Sequence, residues 1–167
     1  MILQNISIGV DVSVHETSSI NNVIIGDRVK IAKRCSIFGS RNDPVVIGDN
    51  SYIGMNSVIN GFAHAVIIGK HCSIAQNVNI MSDSGPNASD VMQKIFPIIR
   101  EGVSIGDHAW IGASVIIMPG VTIGRFCVVA ANSFVNISFD DYCIIGGTPA
   151  KLIRRLTERE INELTVG

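Results

Sequence analysis

Large rings are scarce in this chain: phenylalanine, tyrosine and tryptophan make up 5% of its 167 residues, although 47% are apolar. A core built from it has to be filled by isoleucine, valine and small side chains. An excess of either charge is missing too. Thirteen Lys/Arg stand against 14 Asp/Glu, for a net charge of −1. No basic run is long enough to track a phosphate backbone, which argues against nucleic acid as a partner. No apolar stretch approaches the roughly 18 residues that would suit a membrane-spanning helix. Met1–Asn5 lacks the basic start of a signal peptide. The four cysteines, at 35, 72, 127 and 143, form neither a CxxC pair nor a secreted-type framework, so a reducing cytoplasm is the expected setting. The length suits one domain with a small appendage.

What the chain does have is a repeat. Aliphatic residues recur every six positions: Ile8, Val14 and Ile20; Ile25, Ile31 and Ile37; Ile47, Ile53 and Ile59; Ile68, Ile74 and Ile80. The series resumes with Ile105, Ile111, Ile117, Ile123, Val129 and Val135. An amphipathic helix would repeat at three and four instead. The spacing breaks after every third hexad: Ile20 to Ile25 is short, whereas Ile37 to Ile47, Ile59 to Ile68 and Ile80 to Ile105 are long. The simplest geometry is a three-sided parallel coil of about 18 residues, with every insertion leaving from one corner and the coils stacked to bury one another's faces.

Four residues after each aliphatic position stands a small one, for example Ser51, Ser57, Val78, Ala109, Val115 and Ser133. Cys35, Cys72 and Cys127 share that position, and Cys143 stands four residues after Phe139, so all four are expected to pack as small hydrophobes. The repeat fades after Ile145. Thr157–Glu160 reads as a capping box that opens a short helix to about Leu164, expected to cover the open end of the stack. The division is therefore a β-helix over 1–150, with a protruding loop at about 81–102, and a C-terminal helical segment over 151–167.

Three stretches carry a resemblance to a known family. They are Ile105-Gly-Asp-His-Ala-Trp-Ile-Gly112, Met118-Pro-Gly-Val-Thr-Ile-Gly124 and Gly147-Thr-Pro-Ala-Lys-Leu-Ile-Arg154. With them the chain resembles the hexapeptide-repeat acetyltransferases, among them the galactoside and maltose O-acetyltransferases, the xenobiotic acetyltransferases and those of bacterial surface polysaccharides. The resemblance implies an all-β, left-handed parallel β-helix assembled as a homotrimer, with acetyl-CoA in a groove between subunits. It further implies that Ala113, Ala131 and Ser133 flank the pantetheine arm and that Trp110 borders the acceptor site; backbone N–H groups near Gly112 or Ala113 are the expected oxyanion donors, and Lys151 and Arg154, with Arg155 nearby, are the expected cations for the nucleotide phosphates. Where relatives often carry Thr-Lys, this chain has Asn136-Ile137.

In that family the long loop carries a histidine near its start as general base. The corresponding residues here are Ser82-Asp83-Ser84-Gly85-Pro86-Asn87, and none is histidine. Removing the proton from an attacking hydroxyl typically contributes 10²–10⁴-fold in rate. Other groups are therefore needed, or an acceptor that demands less. His64, in the insertion one coil earlier, could stack beside the loop. Asp83 could serve as base if its surroundings raised its pKa, with Ser84 beside it as a further catalytic candidate. An amine acceptor would attack once deprotonated. Asn87, Trp110 and His108 are candidates for holding the acceptor, and His15 lies too early in the stack to join them. The expectation is acetyl transfer to a hydroxyl or amine of a sugar or nucleotide-sugar, in surface polysaccharide biosynthesis. A non-enzymatic reading, a binding or assembly subunit that has lost its base, stands beside it. The γ-class carbonic anhydrases share the scaffold, but His64, His71 and His108 lack the close histidine pair their zinc requires, and no metal is expected.

Overall fold

The computed structural model describes residues 4–166; the first three residues of the Met1–Asn5 stretch and the last residue of the expected tail lie outside them. Short strands follow one another along three parallel faces. The first face holds Ile6–Ile8, Val23–Ile25, Val45–Ile47, Val66–Ile68, Val103–Ile105 and Thr122–Ile123. The second holds Ser13–Val14, Lys30–Ile31, Tyr52–Ile53, Ser73–Ile74, Trp110–Ile111, Val128–Val129 and Cys143–Gly147. The third holds Ser19–Asn21, Ser36–Gly39, Val58–Gly61, Asn79–Met81, Ile116–Ile117 and Phe134–Val135. The chain visits the faces in turn and so winds a parallel β-helix.

The six-residue spacing becomes vertical register. Ile25 lies over Ile47, Ile47 over Ile68, Ile68 over Ile105 and Ile105 over Ile123, with matching columns on the other two faces. These side chains fill the interior; Ile53, Ile59, Ile74 and Ile111 are completely buried. Each such residue contributes about 1.5–3 kcal/mol relative to exposure. The cysteines pack there as expected. Burial pushes the thiols of Cys72 and Cys127 up to about 11, so neither is a ready nucleophile. Serine at the small position does more than fill space. The Ser51 hydroxyl donates to Gly69 O (2.9 Å) and accepts from Cys72 N (3.0 Å), tying neighbouring coils together.

Two of the corners are finished differently. Where the first face turns into the second, the residue after glycine is often aspartate, as in Gly26-Asp27, Gly48-Asp49 and Gly106-Asp107. Its carboxylate accepts the backbone N–H of the coil before it: Val10 by Asp27, Asp27 by Asp49 and Lys70 by Asp107, all at 2.8–2.9 Å. Asp141 does the same for Arg125 N and also holds its guanidinium. Where the second face turns into the third, no aspartate stands at that place. The backbone N–H groups at that one position, those of Ala113 and Ala131 included, have no partner among the described residues, whereas those of Ser114 and Asn132 beside them are bonded.

All the insertions leave from the third corner, between the third and first faces, as the spacing requires. The longest folds back as an arm. Asp83–Ser84 pairs antiparallel with Ile99–Arg100, and a short helix, Asp90–Gln93, is capped by Ser89. The C-terminal tail departs from expectation in two ways. It begins as a strand, Ala150–Arg155, which pairs antiparallel with Cys143–Gly147 and covers that edge of the second face. The helix then runs over Glu158–Thr165 with the expected capping box. It buries none of its residues and stands beside the second face instead of over the end of the stack. The strand, which supplies backbone partners to the edge, takes over the covering role given to the helix.

Candidate functional site

At the root of the arm, Ser82 is a hub. Its buried hydroxyl accepts from the backbone N–H of both Ala63 and His64 (3.2 and 3.1 Å). Its own N–H donates to Asn60 O, and its carbonyl accepts from Glu101 N. The insertion carrying His64 is thereby fixed against both ends of the arm, as the shared corner suggested. A side chain at Gly102 would come within 3.2 Å of His64 Nδ1, so the absence of one there makes room for the ring. His64 Nδ1 accepts from Ala65 N at 2.9 Å. With that nitrogen accepting, the neutral ring carries its proton on Nε2. Asp83 is half-buried and accepts from Asn60 Nδ2 at 3.0 Å through Oδ1. Its Oδ2 has no partner among the described residues, so it is open to accept a hydrogen bond. Ser84, also half-buried, follows in the same short ribbon, and Asn87 is exposed in the turn beyond it.

The residues assigned to the donor lie at another corner. Gly112 is buried, and its N–H donates to Val129 O, so it holds the coil spacing and is not a free donor. Ala113 and the exposed Ala131, one coil apart, present small side chains and the unpaired N–H groups described above. Ser133 is buried; it donates to Ala130 O and accepts from Gly147 N, which makes it a clasp and not a lining residue. Lys151 is exposed and forms no ion pair among the described residues. Arg154 is engaged elsewhere, since both its terminal nitrogens donate to Glu160, at 2.8 and 2.9 Å. That pair, with the capping bond from Thr157 N, holds the Glu160 carboxyl down at about 2.

Trp110 and His108 occupy a third place. Trp110 is 58% exposed on the second face. His108 is sandwiched between His71 and Phe126, with ring centroids 4.8 and 4.6 Å apart. With Val128 they form one wall of a groove of about 410 Å³, and Leu156 and Leu164 of the C-terminal segment form the other. Within one chain the candidates therefore fall into three groups on different parts of a three-sided prism.

Comparison with known proteins agrees with this architecture. A family model described as "Bacterial transferase hexapeptide (six repeats)" matches residues 102–136, and "Hexapeptide repeat of succinyl-transferase" matches 44–81. Galactoside O-acetyltransferase of Escherichia coli is 32% identical over 74% of this chain and 60% of its own. The chain belongs to the hexapeptide-repeat acetyltransferase family. Among solved members, AntD, an N-acyltransferase from Bacillus cereus in complex with dTDP and 3-hydroxybutyryl-CoA, superposes with a TM-score of 0.79 at 27% identity, over 95% of this chain and 86% of that one. A galactoside acetyltransferase in complex with coenzyme A gives 0.64 at 28% identity, over 86% and 66%. The chain spans 49–60% of the length of four curated relatives that it matches.

Against the pattern that the resemblance implied for the hexapeptide-repeat acetyltransferases, sequence reading passed over Asn60 and Ser82, which hold Asp83 and the His64 insertion in place. Ser82 had a faint signal, as the first residue after the third-face strand at the longest insertion. The free amides at Ala113 and Ala131 had a clearer one. The Gly-Asp dipeptide that caps the neighbouring corner is absent from theirs.

Proposed function

We propose that this chain is an acetyl-CoA-dependent acyltransferase that modifies a hydroxyl or amine of a sugar or nucleotide-sugar, working as a homotrimer. The observation that carries the reading is the pair of backbone N–H groups at Ala113 and Ala131 that have no partner among the described residues, set among small side chains. A pantetheine arm is a run of amides and methylenes, and such a strip offers it donors without steric obstruction. Lys151, exposed and without an ion pair among the described residues, offers a cation to the donor's phosphates. Coenzyme A in the solved relatives supports this donor. The galactoside relatives, the dTDP bound to AntD and an Escherichia coli protein assigned to O-acetyl transfer in lipopolysaccharide biosynthesis support a sugar acceptor in polysaccharide assembly.

The grouping on separate parts of the prism supports a site shared between chains. The arm root of one copy would meet the Ala113–Ala131 corner and the Trp110 face of the next in a closed ring. There the acceptor's oxygen or nitrogen attacks the thioester carbonyl, and the resulting oxyanion is held by a corner N–H. Collapse breaks the C–S bond and releases the thiolate of CoA. Asp83 positions the acceptor group or takes its proton, and His64 Nε2–H donates a hydrogen bond to it. An amine suits this chemistry better than a hydroxyl, because a carboxylate is a weak base toward an alcohol. Acceptor-dependent release of CoA thiol, followed across sugars, amino-sugars and nucleotide-sugars with His64→Ala and Asp83→Asn alongside, tests the reading. Release lost in Asp83→Asn supports the assigned role. No release with any acceptor and no CoA binding would leave a non-catalytic β-helix.

A further inference from the structure

We propose that the early coils of the second face, around Arg28, Lys30 and Tyr52, form a subsite for a nucleoside diphosphate, so that the acceptor is a nucleotide-linked sugar and not a free one. This rests on the acyltransferase reading and specifies where the acceptor's nucleotide end lies.

These residues line a surface cleft of about 720 Å³ with Asp11, Asn50 and Ser51. Lys30 and Tyr52 are direct neighbours in register, and both are exposed. Neither Lys30 nor Arg28 forms an ion pair with any described residue. Arg28 Nε donates to Asn50 Oδ1 at 2.8 Å, which fixes the guanidinium and leaves its terminal nitrogens available. A pre-oriented guanidinium beside a free ammonium suits a bridging diphosphate. One carboxylate, Asp11, faces them in the cleft; Asp49, nearby, is already bound to Lys70 at 2.9 Å. The exposed ring of Tyr52 offers a nucleobase a stacking surface.

The cleft is also in line with the acceptor groove. Lys30, Tyr52, Ser73 and Trp110 are successive members of one outward column. At roughly 4.8 Å per step, Tyr52 lies about 10 Å from Trp110, and Lys30 about 14 Å. A sugar and diphosphate in extended form reach from Trp110 toward Lys30, and the nucleoside turns back so that its base lies on Tyr52. Ser73, the small residue between the two aromatic ones, leaves space for the link. Above Trp110 the column continues with Val128 and Ile144, which offer nothing to a phosphate. Beyond them the column ends in Arg154, whose terminal nitrogens are held by Glu160, so the column's unpaired cation, Lys30, lies in the downward direction.

The test is calorimetric binding of uridine diphosphate, thymidine diphosphate and inorganic pyrophosphate to the intact protein, with Lys30→Ala and Tyr52→Ala. Lys30→Ala is expected to weaken all three ligands by at least about tenfold. Tyr52→Ala is expected to weaken the nucleotides but not pyrophosphate. Both variants should keep the parent's melting temperature and CoA affinity. Unchanged diphosphate affinity in both variants would overturn the proposal, as would diphosphate binding that CoA abolishes by competition. Thiol release with free sugars that is indifferent to Lys30→Ala would remove the subsite and leave the acyltransferase reading intact. Diphosphate binding lost in Lys30→Ala, with no thiol release for any acceptor, would keep the subsite and remove that reading.

Discussion

Gly112→Ala is the most demanding substitution for the stacking scheme. An added Cβ would lie 2.6 Å from Ala131 N, 2.7 Å from Val129 O and 2.9 Å from Ala131 Cα. All three atoms are backbone of the next coil, so no side chain can rotate away and the coils have to part. Overpacking of this kind costs about 1–3 kcal/mol. Parting the coils also weakens the Gly112 N to Val129 O bond, now 2.8 Å, for about 1 kcal/mol more. A total near 2–4 kcal/mol lowers the melting temperature of a chain this size by roughly 5–15 °C. Scanning calorimetry at fixed protein concentration measures it, since assembly would make the transition concentration-dependent. Ala131→Ser is the control; its side chain is exposed, and it should shift stability by no more than about 0.5 kcal/mol. Should Gly112→Ala melt within about 2 °C of the parent, glycine there is not what sets the coil spacing.

Three further outcomes are expected. Ile74→Ala removes a fully buried column residue and should destabilise by about 2–5 kcal/mol in denaturant titration. Glu160 has a depressed pKa, about 2 against an ordinary 4.5, so its contribution to the helix is present above the ordinary value and fades as pH falls toward 2. Trp110 fluorescence should report that loosening between pH 5 and 2, because Trp110 and Glu160 line the same groove, and Glu160→Gln should remove the transition. With Cys72 and Cys127 raised to about 11 and all four cysteines buried, a thiol reagent at pH 8 should find almost nothing in the native protein and four thiols in denaturant.

The columns were legible because a period of six with breaks after every third hexad admits few geometries, and each Ile met its partner where counting placed it. The common corner for the insertions, the packing of the cysteines and the capping box at Thr157 followed for the same reason: each depends on residues near in sequence or one coil apart. The site was legible only in pieces. Arg154 looked like a free cation because nothing in its own strand hints that Glu160, beyond a turn, folds back onto its guanidinium. Ser133 looked like a lining residue and Gly112 like an oxyanion donor, yet their atoms are engaged in holding adjacent coils together. The helix after Thr157 was placed over the stack end because its sequence says nothing of the strand at Ala150–Arg155 that reaches that edge first. The division of the candidates among three parts of the prism emerges only once the coil is wound.

Mixing two inactive variants tests the shared site most directly. Asp83→Asn disables the arm root, and Ala131→Trp blocks the donor corner, each on a different part of the chain. If every site joins the arm of one copy to the corner of the next, equal mixing with subunit exchange rebuilds roughly a quarter of the sites from two intact halves. CoA-thiol release should then return to roughly a quarter of the parent's rate. No recovery, with exchange verified and each parent variant inactive alone, would contradict a site built between chains.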